Sequence, residues 1–162
     1  MAEVVKFMRV LHHHELYASS RIIRLVMAER GIVCLPKSEQ PWDRVEKFLR
    51  LNPAGDVPVL MTEDGEAICG ASVIAEYLEE IEDKKPLIWG SACERAEIRR
   101  LVDWFEGKFT REVGVPLLNE RFIKRFVDER QPSSLVIRAA MKNLHIHLDY
   151  LDWLTEQDNW LA

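Results

Sequence analysis

The stretch Leu49-Arg50-Leu51-Asn52-Pro53-Ala54-Gly55-Asp56-Val57-Pro58-Val59-Leu60 decides the fold. Ahead of it, Val45, Phe48 and Leu49 form a helical stripe. Asn52-Pro53 ends that stripe, because proline donates no amide hydrogen and disfavours helical geometry in the residue before it. A short loop follows, and Val57-Pro58-Val59-Leu60-Met61 then reads as an apolar extended run. Ala67-Ile68-Cys69 repeats that character across Glu63-Asp64-Gly65-Glu66, whose Asp-Gly pair marks a hairpin turn. Helix, loop and hairpin in this order place the stretch inside a mixed sheet.

Working outward, Val10-Leu11-His12 reads as a strand reaching back as far as Val5. Ile22, Ile23, Val26 and Met27 recur at helical spacing until Gly31, and Ile32-Val33-Cys34-Leu35 is a strand ended by Pro36. Downstream, Ile74, Tyr77, Leu78 and Ile81 stand at i, i+3, i+4 and i+7 of a third helix. The order strand, helix, strand, helix, hairpin, helix predicts a small α/β layer structure with a four-stranded mixed sheet.

After Asp83-Lys84-Lys85-Pro86 the strand signals vanish. Ser91-Ala92-Cys93-Glu94 has the pattern of a capping box. The helix it opens carries Leu101, Val102, Phe105 and Phe109 past Val113, with Gly114 and Pro116 expected to bend or end it. Ser133-Ser134 begins a long helix bearing Ile137, Met141, Leu144, Leu148 and Leu151, with Tyr150 and Trp153 on a second apolar flank. The reading is an α/β domain over 5–83, a linker over 84–90, and an incomplete all-α domain over 91–162.

Composition narrows the function classes. The chain has 162 residues, 48% of them apolar and 30% charged, with 22 Lys and Arg against 27 Asp and Glu. A net charge of -5 argues against a basic face for nucleic acid. No apolar run reaches the ~20 residues that span a bilayer. The first residues lack a signal-peptide layout, so a cytoplasmic protein is expected. Cys34, Cys69 and Cys93 are odd in number and widely spaced, which suits reduced thiols and not a disulfide framework or a Cys-x-x-Cys redox pair. His12-His13-His14 lies on a strand whose side chains alternate in direction, so no metal site is expected.

The Leu49–Leu60 stretch, followed by Ser72-Val73-Ile74-Ala75-Glu76-Tyr77-Leu78, resembles the thioredoxin-like N-terminal domain of glutathione S-transferases. His13-His14-Glu15-Leu16-Tyr17-Ala18-Ser19-Ser20-Arg21-Ile22-Ile23-Arg24-Leu25 is similar to that family's first strand and helix. Glu94–Phe105 and His147–Leu151 most resemble the bacterial glutathione-transferase-like proteins that bind the tubulin-like division protein FtsZ. The resemblance implies a cis peptide at Val57-Pro58, with the Val57 backbone facing the cysteinyl part of glutathione. It places Tyr17, with Ser19 close behind, where the family puts the hydroxyl or thiol that stabilises the glutathione thiolate. The alternative is that Tyr17 is a loop aromatic and that Ser19 or Ser20 caps the helix. Where the family has an acidic residue followed by Ser to hold a carboxylate, this chain has Gly70-Ala71, with Ser72 one position on. Losing a charge-assisted hydrogen bond costs roughly 1.5–3 kcal/mol, so glutathione is expected to be at most a weak ligand or substrate. Installing the family's pair as Gly70→Glu with Ala71→Ser is expected to strengthen binding. No other cofactor is implied.

Partner binding has its own candidates. Trp42 stands off the Val45, Phe48, Leu49 stripe, and Trp is enriched among interface anchors. Lys108, Arg111, Arg121, Lys124 and Arg125 gather positive charge suited to an acidic partner. The expected function is a non-catalytic or weakly catalytic FtsZ-binding division factor, the rival a genuine transferase conjugating glutathione to small electrophiles. A homodimer is expected too, because the family is commonly dimeric and the last helix is apolar on two sides with neighbours for only one. Residues 135–154 are then partly buried by another chain.

Overall fold

The computed structural model describes residues 8–81, 86–157 and 161. The expected strand extension to Val5 and part of the 84–90 linker lie outside them. The chain divides into two compact units after Leu87. The first runs β1 (Val10–His13), α1 (Ala18–Arg30), β2 (Leu35–Ser38), a 3-10 turn at Pro41–Asp43, α2 (Glu46–Leu49), β3 (Val59–Met61), β4 (Ala67–Cys69) and α3 (Ala71–Ile81). Its sheet has the order β2-β1-β3-β4, with β1 parallel to β2 and the other neighbours antiparallel.

Strand alternation divides the interior between two faces. Leu11 and Leu60 turn to one side and join Ile23, Met27, Ile74 and Leu78 of α1 and α3. Val59 turns to the other and meets Phe48 of α2 and Val57. His12 shares that face, its ring stacked on Phe48.

Two expectations need correcting here. The second strand is Leu35–Ser38 and not Ile32–Leu35. Gly31 adopts a left-handed conformation (φ 64°), and Ile32 N–H bonds back to the Met27 carbonyl at 2.8 Å. This helix-ending turn buries Ile32 as part of the cap. Pro36 is accepted because β2 is an edge strand. The second helix is a single turn, and Val45 sits outside it, 52% exposed.

The second unit holds α4 (Ala92–Asp103), a π-helical segment Trp104–Gly114, α5 (Val115–Leu118), a second π-helical segment Asn119–Val127, and α6 (Ser134–Gln157). The capping box forms in full: Ser91 Oγ accepts from Glu94 N–H at 3.3 Å and Glu94 Oε2 from Ser91 N–H at 2.6 Å. Gly114 and Pro116 do not end the helical run, contrary to expectation. Wide π turns carry the chain past them, and Pro116 lies in the first turn of α5, where its missing amide costs least. The Glu112 carbonyl, four residues before Pro116, accepts from the Asn143 amide at 3.4 Å. Glu120, buried, accepts from Ser133 N–H at 2.6 Å and pairs with Lys124, fastening the start of α6.

On α6 only Ala140 and His147 are fully buried. Leu144 and Leu151 are half-buried within their own chain, whereas Leu148 and Trp153 are exposed. The uncovered surface therefore differs in membership from the one the periodicity outlined.

Candidate functional site

The Asn52–Pro58 loop is built by side chains that substitute for missing backbone partners. Asn52, buried, donates from Nδ2 to the Asp56 carbonyl at 2.8 Å and accepts from Ala54 N–H at 3.2 Å. This is the local hydrogen bonding for which asparagine is favoured in turns. The Val57-Pro58 peptide is cis. Ser19 Oγ donates to the Val57 carbonyl at 3.0 Å, and the Pro58 carbonyl accepts from Gly70 N–H at 3.1 Å. The starts of α1 and α3 are thereby tied to the same short loop.

Tyr17 is the N-cap residue of α1 in extended geometry, but its side chain makes no capping bond. Its half-buried ring packs against the Phe48, Val57, Val59 cluster, with His14 set edge-on at 5.7 Å. Burial, reinforced by the charge of Asp56, raises the phenol's pKa above its ordinary value. The hydroxyl is thus a neutral donor at physiological pH, the form needed to hydrogen-bond a thiolate. Neither serine caps α1: Ser19 reaches Val57, and Ser20 Oγ accepts from His14 N–H at 3.2 Å. Both hydroxyls fasten loops instead.

At the start of α3, Ala71 is buried and Ser72 is exposed on a surface groove with Val73, Glu76, Tyr77 and Glu80. Gly70 has φ +92°. A β-carbon there would meet nothing within 4 Å, but the backbone conformation strains any residue that carries one. The Gly70→Glu change expected to strengthen binding therefore carries a backbone penalty of roughly 1–3 kcal/mol.

The three histidines have separate surroundings. His12 Nδ1 meets Glu39 Oε1 at 2.7 Å, and Lys37 reaches the same oxygen at 3.0 Å. His13 is buried with Nδ1 unpartnered, and burial lowers its pKa. His14 Nδ1 accepts from Leu16 N–H at 3.2 Å, and its ring meets Trp42 edge-on at 5.0 Å.

Trp42 is half-buried, its indole set edge-on to His14. The cationic group is partly neutralised. Lys108 pairs with Glu112 and lies 5.8 Å from the Trp104 ring centroid, Lys124 pairs with Glu120, and Arg125 rests on Phe126. Arg111, Arg121 and Arg125 are exposed and make no ion pair among the described residues.

Two features escaped the sequence reading. Arg44 stands in left-handed geometry (φ 46°), and its guanidinium extends over Gly55, so the site loop has a cation at its edge. Its signal was the Asp43-Arg44 pair between the 3-10 turn and α2. The second is a buried relay in the helical unit. Trp104 Nε1–H donates to His147 Nδ1 at 3.0 Å, and His147 Nε2 faces Glu112 Oε2 at 3.2 Å. Indole nitrogen can only donate, so Nδ1 accepts and the ring's other nitrogen carries the hydrogen towards Glu112.

Comparison with known proteins decides the family. The family described as "Glutathione S-transferase, N-terminal domain" matches residues 18–81. FtsZ-localized protein A of Caulobacter vibrioides is 36% identical over 157 residues, 95% of this chain and 69% of that protein. The chain belongs to the glutathione S-transferase family. The crystal structure of a glutathione S-transferase from Rhodospirillum rubrum F11 superposes with a TM-score of 0.89 at 44% identity, covering 96% of this chain and 70% of that one. FzlA from C. crescentus gives a TM-score of 0.89 at 35% identity, covering 96% and 70%. In this chain the Val57-Pro58 peptide is cis, and Gly70-Ala71 carry neither a carboxylate nor a hydroxyl.

Proposed function

We propose that this glutathione S-transferase-like protein acts in the cytoplasm as an FtsZ-binding cell-division factor, with little or no transferase activity. The observation that carries the reading is the similarity to FtsZ-localized protein A, which spans both units and not the α/β unit alone. The site chemistry supports it. The Ser19 hydroxyl is engaged with the Val57 carbonyl, and Gly70 and Ala71 offer no side-chain ligand for a carboxylate. Arg111, exposed and without an ion pair among the described residues, and the half-buried Trp42 are the contact candidates for FtsZ.

Co-sedimentation with FtsZ filaments tests this. The chain is expected in the pellet, with Arg111→Glu weakening binding at low salt and the difference from the wild type shrinking as salt is raised. A chain left in the supernatant at every protein concentration overturns the reading.

The rival, a weak transferase, is favoured by one specific feature: the Tyr17 phenol is held protonated beside the cis-proline loop. It requires turnover of a standard electrophile that falls at least tenfold in Tyr17→Phe.

A further inference from the structure

We propose that the cleft between β1, β2 and α2 binds a small aliphatic carboxylate, held by His12 Nε2 and the ammonium groups of Lys37 and Lys47. The sheet builds its polar side. His12 and Lys37 are direct partners across the parallel β1–β2 pair. Glu39, two positions beyond Lys37, continues the ladder by donating its N–H to the His13 carbonyl at 2.8 Å. Alternation therefore sets His12, Lys37 and Glu39 on the face covered by Phe48 of α2.

His12 is only 5% exposed, its ring stacked on Phe48. Burial alone would raise the Glu39 carboxyl, but Lys37 and His12 outweigh it and hold the group below the usual carboxylate range. An ionised carboxylate can only accept, so the hydrogen of the 2.7 Å contact sits on His12 Nδ1. That leaves Nε2, which has no partner among the described residues. A polar nitrogen left unpaired on a buried side chain is uncommon.

The same ring lines a cavity of about 60 Å³, whose other walls include Lys37, Glu39, Lys47, Phe48 and Leu51. Lys47 is exposed and makes no ion pair among the described residues. Lys37 reaches Glu39 Oε1 at 3.0 Å with one hydrogen and has two more to donate. Two ammonium groups against one carboxylate favour an anion, to which a ring protonated on both nitrogens adds a third donor.

Size selects among anions. One water needs about 10–15 Å³ of such space, so the cavity admits roughly four heavy atoms. A carboxylate with a short alkyl stub against Phe48 and Leu51 fits, and a tripeptide does not. Tyr17, Val57, Pro58 and Gly70 are not among the walls, so the site is separate from the cis-proline loop. It also stands independently of the FtsZ reading.

Titration of the ¹⁵N-labelled chain with sodium acetate tests it, read at the ring nitrogens of His12 with ionic strength held constant by sodium chloride. The pH is set at about 6, within the range where imidazole takes up its second proton. A saturable shift with a Kd of roughly 1–10 mM is expected, the range open to so small a ligand. Lys47→Glu, at an exposed position, is expected to weaken binding at least ~tenfold. Lys142→Glu, the same charge change on exposed α6, is expected to leave the Kd unchanged. No saturable shift up to about 100 mM acetate overturns the proposal. So does a shift confined to the other histidines, a Kd unchanged in Lys47→Glu, or an equal weakening in Lys142→Glu.

Discussion

The site loop of the α/β unit and the Trp104–His147 cluster of the helical unit use their polar side chains in different ways. Around the site loop, side chains hold backbone: Asn52 closes its own loop, Ser19 takes the Val57 carbonyl, and Ser20 takes the His14 amide. In the Trp104–His147 cluster, side chains hold side chains, through Trp104, His147, Glu112 and Lys108 in sequence. A backbone staple that is removed leaves one group to find water. A chain of side-chain contacts fails as a unit, because each member orients the next. Loss of one staple is therefore expected to cost the site loop less than loss of His147 costs the helical core.

Substitutions should separate the two kinds of network, beginning with the largest effect. His147→Ala removes a side chain that is 1% exposed, leaves the Trp104 N–H without its acceptor and opens a void beside Phe109. A loss of about 3 kcal/mol is expected in urea unfolding. A loss under 1 kcal/mol would mean that the relay is not a structural unit. Asn52→Ala breaks two bonds in the α/β unit and should cost about 2 kcal/mol. Ser19→Ala is expected to cost only about 1 kcal/mol, with FtsZ co-sedimentation unchanged. Equal losses for His147→Ala and Ser19→Ala would erase the distinction between the units.

The smallest expected effect is a dependence on pH. Burial alone would raise the Glu39 pKa, but Lys37 and His12 outweigh it and hold the carboxyl below the usual range. A depressed carboxylate stabilises the fold above its unfolded pKa of about 4.3. That contribution is lost as pH falls through the lower folded value. Urea midpoints followed downward from pH 6 should therefore fall less steeply in Glu39→Gln than in the wild type. Parallel curves would show that the His12, Glu39, Lys37 group contributes nothing on folding.

The same division explains what the sequence disclosed. Turn chemistry is local, so Asn52-Pro53, Asp64-Gly65, Gly31 and the Ser91 capping box were readable from their own residue types. The four-stranded mixed sheet followed from them. The start of β2 was placed three residues early because Ile32 serves the helix cap and not the strand. The continuous run through Gly114 and Pro116 was not legible, since π turns and the distant Asn143 amide absorb the disruption. At the site, Tyr17, Val57, Pro58, Gly70 and Ala71 were named from the family pattern. The true bonding of Ser19 and the placement of Arg44 depended on the loop's three-dimensional path. His147 was invisible as a core residue because its partners lie 35 and 43 positions away.

The central claim is that the glutathione S-transferase scaffold here serves association with FtsZ and not glutathione chemistry. The most direct measurement is co-sedimentation of the wild type and Tyr17→Phe with FtsZ filaments, with and without millimolar glutathione, alongside electrophile turnover in the same samples. The account predicts equal pelleting in all four conditions and negligible turnover. Failure to pellet with FtsZ, or brisk turnover that Tyr17→Phe abolishes, would contradict it.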